Sequence, residues 1–263
     1  MSARTIGIVE ENLRTAMRFF GEATGSGEVC DLDGVVVMNC GRDYGVFNIA
    51  LLTAPVADEV ELANRIDEAA KYFRARKFRW SFWLCEDLVE PAPRRRIRQH
   101  FARVAMRPIS NPPGMISERI DGPVRPLPAI ECVPVGDVKT REAFAEITSV
   151  TFEIPIAIAR DVYTPERAWR GAYQGYVGFA NGRPVAIVAI VAAAGALGVY
   201  SLGTRPESRR KGYGESLMRA ALDVVRLRTG FDTTILQSTE AGYSLYRRMG
   251  FRDVTRFTVY LTK

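Results

Sequence analysis

A proline-rich segment divides this chain into two parts of similar length. Half of the 14 prolines fall between residues 107 and 134. These are Pro108, Pro112, Pro113, Pro123, Pro126, Pro128 and Pro134. Proline fixes φ and lacks a backbone N–H, so this density disfavours both a helix and a central strand. We predict a domain boundary here, with domains at 1–125 and 126–263, although residues 115–120 could still form a closing strand of the first domain.

Composition and charge restrict the class of protein. The 263 residues are 47% apolar and 25% charged, which is typical of a globular protein with a substantial core. The net charge of +6 suits a nucleic-acid binder or an enzyme whose ligand carries several phosphates. The densest basic run, Arg94–Arg98, has no interleaved base-stacking aromatics, and we favour a solvated helix face over an anion-binding patch. Nucleic acid is therefore not an expected partner.

The cysteines and the single histidine argue against a metal site. Cys30, Cys40, Cys85 and Cys132 lie far apart without a CxxC pair, and His100 stands alone. We expect buried free thiols in a reducing cytosol. The first residues lack an apolar signal segment, and no apolar run reaches membrane-spanning length. The sequence thus predicts a cytoplasmic protein with no membrane partner.

The periodicity of apolar residues predicts a similar order of elements in each half. In the first half, a helix around Leu13–Phe20 precedes strands at 35–38 and 47–52, a helix that begins at Asp58, and a strand at 80–84. The arginine-rich helix follows and ends near residue 106. This order is helix, strands, long helix, strand and short helix.

The second half repeats that order. A helix at 141–150 precedes three strands, at 175–179, 185–192 and 198–204, with Asn181-Gly182 as a hairpin turn between the first two. Further elements are a helix from about Gly212 to Gly230, a strand at 234–237, a short helix that buries Leu245 and Met249, and a strand at 257–261. The repetition predicts two copies of one α/β unit. Because the two sequences barely match, a coincidence of common α/β patterns is the alternative.

The turn before the long helix of the second half combines the features of an anion site. Gly212 and Gly214 permit close backbone approach, which leaves amide groups free to point at one oxygen cluster. The helix N-terminus adds a positive dipole, and Arg209, Arg210 and Lys211 add full charges. We predict that this turn binds phosphate.

Two other phosphate-binding patterns fit this turn poorly. A P-loop requires GxxxxGK[ST], which is absent, and a dinucleotide-binding turn requires a third glycine where Leu217 stands. Asp232 does lie about 20 residues on, as the dinucleotide pattern would require. The residues after Gly214 are too few for the remaining strands of a doubly wound sheet.

Two motifs resemble signatures of the GNAT acetyltransferase superfamily. Arg209, Gly212 and Gly214 match the three fixed positions of [QR]xxGx[GA]. Residues 241–251, Ala-Gly-Tyr-Ser-Leu-Tyr-Arg-Arg-Met-Gly-Phe, are similar to AxxLYxxxGF with one extra residue between Ala and Leu. The resemblance covers roughly residues 129 to 263. It implies an α/β fold of the α+β type, with each unit a mixed, mostly antiparallel sheet flanked by helices.

The resemblance also implies acetyl-coenzyme A (acetyl-CoA) as the acetyl donor and a set of residues that bind it. The strand at 200–204 should splay from the strand at 233–238 and bond the pantetheine arm through Leu202 and Thr204, with Gly203 at a bulge. The pyrophosphate should lie on the amides of a six-residue turn. That turn is Arg209, Arg210, Lys211, Gly212, Tyr213 and Gly214. Thr239 stands where the family often has a cofactor-contacting asparagine, and Arg210 replaces a common glycine.

The same resemblance suggests catalytic roles. Tyr246 matches the tyrosine that protonates the departing sulfur, although its alternative role is that of a core tyrosine. The carboxylate that acts as base is not fixed by a motif. Glu153 is our leading candidate and Asp161 the second, and a surface salt bridge is the alternative for both. The amine must arrive neutral, attack the thioester carbonyl and release coenzyme A as a thiol.

The first half contains no [QR]xxGx[GA] turn. Residues 53–58 hold no glycine, and acidic residues begin the following helix, where they already satisfy its dipole. We therefore predict one catalytic domain and a degenerate first domain that shapes the acceptor site or serves as scaffold. The acceptor is an unidentified small molecule or peptide with a primary amine, and a homodimer is left open. A non-catalytic module that senses acyl-CoA or binds a partner is the alternative function.

Overall fold

The structure is a computed structural model that describes residues 3–263. The helices of the first half are α1 (Ala3–Glu22), α2 (Glu59–Arg76), α3 (Pro91–Arg94) and α4 (Ile97–Arg103). Its strands are β1 (Glu28–Leu32), β2 (Val35–Asn39), β3 (Ile49–Leu52), β4 (Ser81–Cys85), β5 (Met106–Ser110) and β6 (Pro113–Ser117). No helix in the described part of the chain is both long and apolar enough to span a membrane.

The second half continues with the same alternation of strands and helices. Its helices are α5 (Val138–Phe152), α6 (Ile156–Tyr163), α7 (Tyr213–Thr229) and α8 (Glu240–Arg248). Its strands are β7 (Glu131–Pro134), β8 (Tyr173–Ala180), β9 (Arg183–Ala193), β10 (Ala196–Thr204), β11 (Thr234–Gln237) and β12 (Arg252–Thr262).

The strands form one sheet of 12 strands in the order β1-β2-β3-β4-β12-β6-β11-β10-β9-β8-β7, and β5 pairs with β12 beside this path. Two pairs are parallel, β3 with β4 and β10 with β11, and the other pairs are antiparallel. In each parallel pair a long helix, α2 or α7, connects the two strands, as a parallel connection requires. The predicted mixed, mostly antiparallel sheet with flanking helices is confirmed.

The two halves exchange strands at the centre of the sheet. β6, from the first half, lies between β11 and β12 of the second half, with Met115 opposite Leu236. In return, β12 pairs with β4, with Val259 opposite Trp83. The strand predicted around residues 115–120 is therefore present at Pro113–Ser117, but its partners belong to the second half. The domain boundary near residue 125 remains a prediction.

The internal repetition is visible around the two parallel pairs. The order β1-β2-β3-α2-β4 in the first half corresponds to β8-β9-β10-α7-β11 in the second.

Several local predictions are also confirmed. Asp58 caps α2 by accepting from the Glu61 amide at 2.8 Å, and Gly230 ends α7 with φ 70°. Asn181 and Gly182 form the β8–β9 turn with φ 50° and 72°.

Other predictions need correction. β1, β5, β7 and α6 were not predicted, because β1 is short and interrupted by the charged residues Glu28 and Asp31, β5 and β7 carry prolines, and α6 follows Pro155 after a segment that resembles a loop. Leu245 is only partly buried, because Tyr246 occupies the inward position of α8. Cys40 and Cys85 are buried free thiols as expected, but Cys30 and Cys132 are only partly buried.

Helix α1 belongs to the first half but packs against strands of the second. Its buried Asn12 donates through Nδ2 to the carbonyl oxygens of Val191, Ala193 and Ala196 at 2.9–3.1 Å. Asn12 Oδ1 accepts from the Tyr200 hydroxyl at 2.8 Å. A side chain at Gly198 would collide with Asn12. The amide of Asn12 thus fixes α1 onto the β9–β10 hairpin.

Replacing Asn12 with leucine is expected to destabilise the fold by about 2–4 kcal/mol, because it leaves several buried polar groups without partners. Urea unfolding followed by circular dichroism measures this free energy. Glu11→Ala, at an exposed position of the same helix, serves as the control and should stay within about 0.5 kcal/mol of the parent. An equal effect of the two substitutions would contradict the role of Asn12.

Candidate functional site

The turn between β10 and α7 presents free backbone amides at a helix N-terminus. Arg210 and Gly212 adopt positive φ angles of 63° and 94°, and no side chain caps α7. The backbone amides from Arg210 to Gly214 donate no hydrogen bond to any acceptor within residues 3–263. Consecutive free amides at the positive end of a helix dipole are the arrangement that binds phosphate groups in proteins.

The charges on the turn are also uncompensated. The Arg209 Nε donates to the Thr204 carbonyl at 3.2 Å, and the Lys211 Nζ donates to the Glu207 carbonyl at 2.9 Å. Arg209, Arg210 and Lys211 are exposed, and none forms an ion pair in the described part of the chain. The turn therefore fits a ligand with several negative charges, such as the pyrophosphate of coenzyme A.

Packing explains why glycine is needed at two positions of this turn. A Cβ on Gly212 would lie 3.0 Å from Pro128 Cδ in addition to carrying an unfavourable φ, and a Cβ on Gly214 would lie 2.9 Å from Thr204 Oγ1. Ser216 Oγ donates to the Pro128 carbonyl at 2.9 Å. The proline-rich segment between the halves thus packs against the start of α7 and stabilises it.

Strands β10 and β11 diverge next to this turn. β10 pairs with β11 only from Leu197 to Val199, although β10 continues to Thr204. On its other edge, the register with β9 shifts between Tyr200 and Gly203, and Ser201 there has φ 46°. The bulge occupies the residues just before Gly203, the position named from the sequence. The divergence leaves an opening between the two strands, as the resemblance implies.

A cavity of about 320 Å³ lies at this opening. Its lining includes Val199, Leu202 and Gln237 from the diverging strands, and Tyr246 from α8. Eight of its 20 lining residues come from the first half, among them residues of α1 and β3 and the β2–β3 loop. The cavity is therefore lined by both halves of the chain. The sequence offered a role for the first half in shaping the acceptor site but did not indicate which of its residues would line that site.

Tyr246 lies in the wall of this cavity. It is 8% exposed, lines the cavity, and packs edge-on against Phe251 with ring centroids 5.8 Å apart. Gly242, one turn earlier on α8, makes room for it, since a Cβ there would lie 2.8 Å from Tyr246 Cε2. Burial raises the pKa of Tyr246 to about 12. The phenol is therefore neutral at physiological pH and available as a hydrogen-bond donor.

A few polar atoms interrupt the apolar lining. Ser201 Oγ and the Tyr173 hydroxyl are 2.7 Å apart. Thr148 Oγ1 and Gln237 Nε2 are buried and have no hydrogen-bond partner among residues 3–263. Buried polar atoms without partners are rare in native proteins, so these two atoms are the ones in the cavity wall with free capacity to bond a ligand or water. Sequence reasoning missed all four residues, because none belongs to a motif.

The structure does not bring the two predicted carboxylates to the cavity. Glu153 is exposed, caps the end of α5 with φ 56°, and is absent from the lining. Asp161 Oδ2 accepts from Arg42 Nε at 2.7 Å on the surface. None of the residues that line the cavity in the described chain is Asp, Glu, Lys, Arg or His. The role of Glu153 as base therefore has no geometric support.

Thr239 lines the cavity but has a structural task. Its Oγ1 accepts from the Gly242 amide at 3.3 Å and caps α8. Threonine is among the residues preferred at a helix N-cap, so Thr239 has a structural role at this position. Contact between Thr239 and the cofactor remains a prediction.

The corresponding helix start in the first half is already occupied by carboxylates. The Asp58 side chain accepts from the Glu61 amide, and the Glu61 side chain accepts from the Ala57 amide at 2.7 Å. This capping-box arrangement fills the positions that an anion would need. It agrees with the prediction that only the second half holds coenzyme A.

A second groove of about 670 Å³ adjoins the cavity. The two share Trp83, Gln237 and Thr239, and the groove also contains Glu240 and Asp253. Arg256 also lines the groove, so this groove, unlike the cavity that contains Tyr246, has ionised side chains of both signs. It is a second direction from which a ligand could approach Gln237.

Comparison with known families agrees with this geometry. Residues 141–251 match the model of the acetyltransferase (GNAT) family. This segment contains the diverging strands, the β10–α7 turn and Tyr246, and it is similar to a GNAT domain. The family match supports acyl transfer as the general chemistry. A search of curated proteins found no match.

Several solved structures share the fold over nearly the whole chain. A GCN5-related N-acetyltransferase from Kribbella flavida is 22% identical, with a TM-score of 0.69, and the match covers 99% of this chain and 95% of that one. A conserved protein of unknown function from Staphylococcus epidermidis is 11% identical, with a TM-score of 0.64 and coverage of 90% and 94%. A GCN5-related N-acetyltransferase from Sphaerobacter thermophilus is 16% identical, with a TM-score of 0.53 and coverage of 87% and 76%. These identities establish the fold and not the substrate.

Proposed function

We propose that this protein transfers an acetyl group from acetyl-CoA to a primary amine. The observation that carries the proposal is the turn from Arg210 to Gly214, whose free amides lie at the end of the strand that lines the Tyr246 cavity. The pyrophosphate would lie on these amides, with Arg209 nearby. The main chain of Leu202, Gly203 and Thr204 would hold the pantetheine arm.

The proposed reaction requires little covalent chemistry from the protein. The amine nitrogen attacks the thioester carbonyl carbon, a C–N bond forms, and the C–S bond breaks. The sulfur leaves as a thiol after gaining one proton, and the acylated nitrogen loses one proton to water. What the protein supplies is orientation of both reactants and a donor for the leaving sulfur.

Tyr246 is proposed as that donor. Its pKa of about 12 exceeds that of a thiol, near 8.5, so complete transfer of its proton is uphill by roughly 5 kcal/mol. A neutral phenol can nevertheless donate a hydrogen bond to the developing thiolate without surrendering its proton. We therefore propose that Tyr246 stabilises the leaving sulfur by hydrogen bonding, and that solvent completes its protonation.

Because no carboxylate lines the cavity in the described chain, the acceptor amine must lose its proton without the help of a side-chain base. An ammonium group without a counter-charge in an apolar cavity has its pKa lowered by desolvation, so the neutral amine is the form that enters. No residue of the cavity then needs to act as base. Glu153 and Asp161 remain untested candidates that would require a conformational change to act.

The pH profile should reflect the neutral amine and the high pKa of Tyr246. We expect kcat/KM to rise about tenfold per pH unit below the amine pKa and to show no falling limb up to about pH 10, because the phenol keeps its proton there. Burial also raises the pKa of Tyr163, Tyr173 and Tyr200, so these hydroxyls stay neutral as well. Initial rates of thiol release measure the profile. A falling limb centred near pH 9 would contradict the donor role of Tyr246.

A non-catalytic acyl-CoA sensor is the second candidate, and the absence of a cavity carboxylate favours it. Release of coenzyme A from acetyl-CoA in the presence of an amine panel, with the N-acetyl product identified by mass spectrometry, separates the two functions. Amine-dependent product supports the enzyme. Tight acetyl-CoA binding with only slow hydrolysis across the whole panel would establish the sensor instead.

A further inference from the structure

The wall of the Tyr246 cavity is rich in aromatic residues, and both halves of the chain contribute to it. Nine of the 20 lining residues are aromatic, which is far more than the average share in the chain. Phe20 and Phe47 stack with centroids 4.6 Å apart, Tyr44 lies 5.3 Å from Phe47, and Tyr163 meets Phe47 edge-on at 6.0 Å. These packed rings form an apolar corner suited to a flat apolar group.

The absence of ionised side chains from the described cavity wall disfavours binding of most biological amines. Because the lining contains no ionised side chain, a carboxylate or a second ammonium on the acceptor would be buried without a partner. Burying an unpaired charge costs far more than burying a neutral polar group. Amino acids and polyamines are therefore poor occupants, whereas an amine with one ionisable nitrogen can enter in its neutral form.

The unpartnered polar atoms match a single small polar group. Thr148 Oγ1 is on a residue that is 1% exposed, lines the cavity, and has no partner in the described chain. The hydroxyls of Ser201 and Tyr173 line the same cavity. A neutral amine both donates and accepts hydrogen bonds, and hydroxyl groups can meet either need. The hydroxyl groups of the cavity therefore suit one amino group. Gln237, next to the strand that would hold the cofactor, is a further polar residue of the wall.

Size restricts the acceptor further. The cavity of about 320 Å³ is near the lower end of ligand pockets, which span roughly 300–1,000 Å³, and it must also admit the thioester. Val46 and Phe152, 43% and 40% exposed, line it where it meets solvent, so its entrance is apolar as well.

On the basis of the proposed acetyl transfer, we propose that the acceptor is a small primary amine that carries an aromatic ring and no second charge. The ring would occupy the corner formed by Phe20, Phe47 and Tyr163. The amino group would meet the hydroxyls of Thr148 and Ser201. Aromatic residues of both halves, Phe20 and Phe47 from the first and Tyr163 from the second, thus determine specificity, while the second half binds the acetyl donor.

The first test compares amines that differ mainly in charge. With acetyl-CoA saturating, 2-phenylethylamine is expected to give a kcat/KM at least about 100-fold above that of phenylalanine, which adds a carboxylate, and that of spermidine, which adds ammonium groups. A preference for phenylalanine or spermidine would overturn the inference while leaving acetyl transfer intact. A preference for spermidine would place the acceptor in the groove containing Glu240 and Asp253.

A binding measurement covers the case in which no amine reacts. Calorimetric titration of 2-phenylethylamine into the protein saturated with coenzyme A should show binding at one site, and phenylalanine should bind at least about 30-fold more weakly. Absence of 2-phenylethylamine binding would overturn the inference. Failure of acetyl-CoA itself to bind would instead remove the proposed function, so the two failures are distinguishable.

A matched pair of variants tests the location. Phe152 and Val150 are both exposed apolar residues near the end of α5, but only Phe152 lines the cavity. Phe152→Ala is expected to raise the KM for 2-phenylethylamine about tenfold, with acetyl-CoA affinity unchanged, because it removes apolar surface at the entrance of the cavity that the amine must cover. Val150→Ala should leave both quantities unchanged. Equal kinetics of the two variants would show that the amine binds elsewhere.

Discussion

Replacing Gly212 with valine is expected to weaken acetyl-CoA binding by at least about 100-fold, equivalent to about 3 kcal/mol. The φ of 94° is unfavourable for any residue with a Cβ and most of all for a β-branched one, so the turn must change shape. The new Cβ would also press on Pro128. Both effects move the free amides from the positions in which they face one anion. Calorimetric titration with acetyl-CoA measures the loss.

The hairpin glycine Gly182 provides the matched control. It has a φ of 72°, and a Cβ there would meet nothing within 4 Å. Gly182→Val should therefore carry a similar conformational penalty while preserving acetyl-CoA affinity, and urea unfolding can verify that the two variants are comparably folded. A Gly214→Leu variant tests the turn by steric conflict with Thr204 instead of φ strain. Retention of affinity within about threefold in both turn variants would show that the pyrophosphate lies elsewhere.

Replacing Tyr246 with phenylalanine is expected to lower kcat about 100-fold, while the dissociation constant of acetyl-CoA changes less than about threefold. The substitution removes only a hydroxyl that has no hydrogen-bond partner in the described chain, so packing against Phe251 is retained. The lost stabilisation appears in the transition state, where the sulfur gains negative charge. Steady-state kinetics with 2-phenylethylamine, or with another accepted amine, measure the effect.

Tyr243, three residues earlier on the same helix, is the control for Tyr246. Its hydroxyl donates to Asp253 Oδ2 at 3.1 Å, and it does not line the cavity. Tyr243→Phe should leave kcat within about twofold of the parent. If Tyr246→Phe had an equally small effect, the phenol would have no role in the departure of the thiol.

Much of the fold of the second half could be predicted because local chemistry and periodicity agree there. Asn181-Gly182 specifies a tight hairpin, Gly212 and Gly230 bound α7, and the continuous apolar run from Val185 to Ala193 marks β9. The exchange of β6 and β12 could not be predicted, since strand pairing depends on contacts between residues far apart in sequence. Pro113 even argued against a central strand; it is tolerated at the first residue of β6.

The candidate site was predictable only where a contiguous motif describes it. The glycine turn and Tyr246 lie in such motifs, and the structure places the former at a helix N-terminus and the latter in the cavity. Glu153 was chosen from a segment that appeared to be a loop, but α5 continues to Phe152 and directs the chain so that Glu153 is exposed. The aromatic wall was invisible in the sequence, because α1 and the β2–β3 loop meet the second half only in the folded chain.

Titration of the intact protein with acetyl-CoA tests the central claim most directly, because the account places a single acetyl-CoA site in the second half of each chain. Calorimetry should give one site per chain, and Gly214→Leu should abolish it. Asp58→Ala, which removes a carboxylate at the corresponding helix start of the first half, should leave the stoichiometry unchanged. Absence of acetyl-CoA binding by the folded protein, or binding of two molecules per chain, would contradict the account.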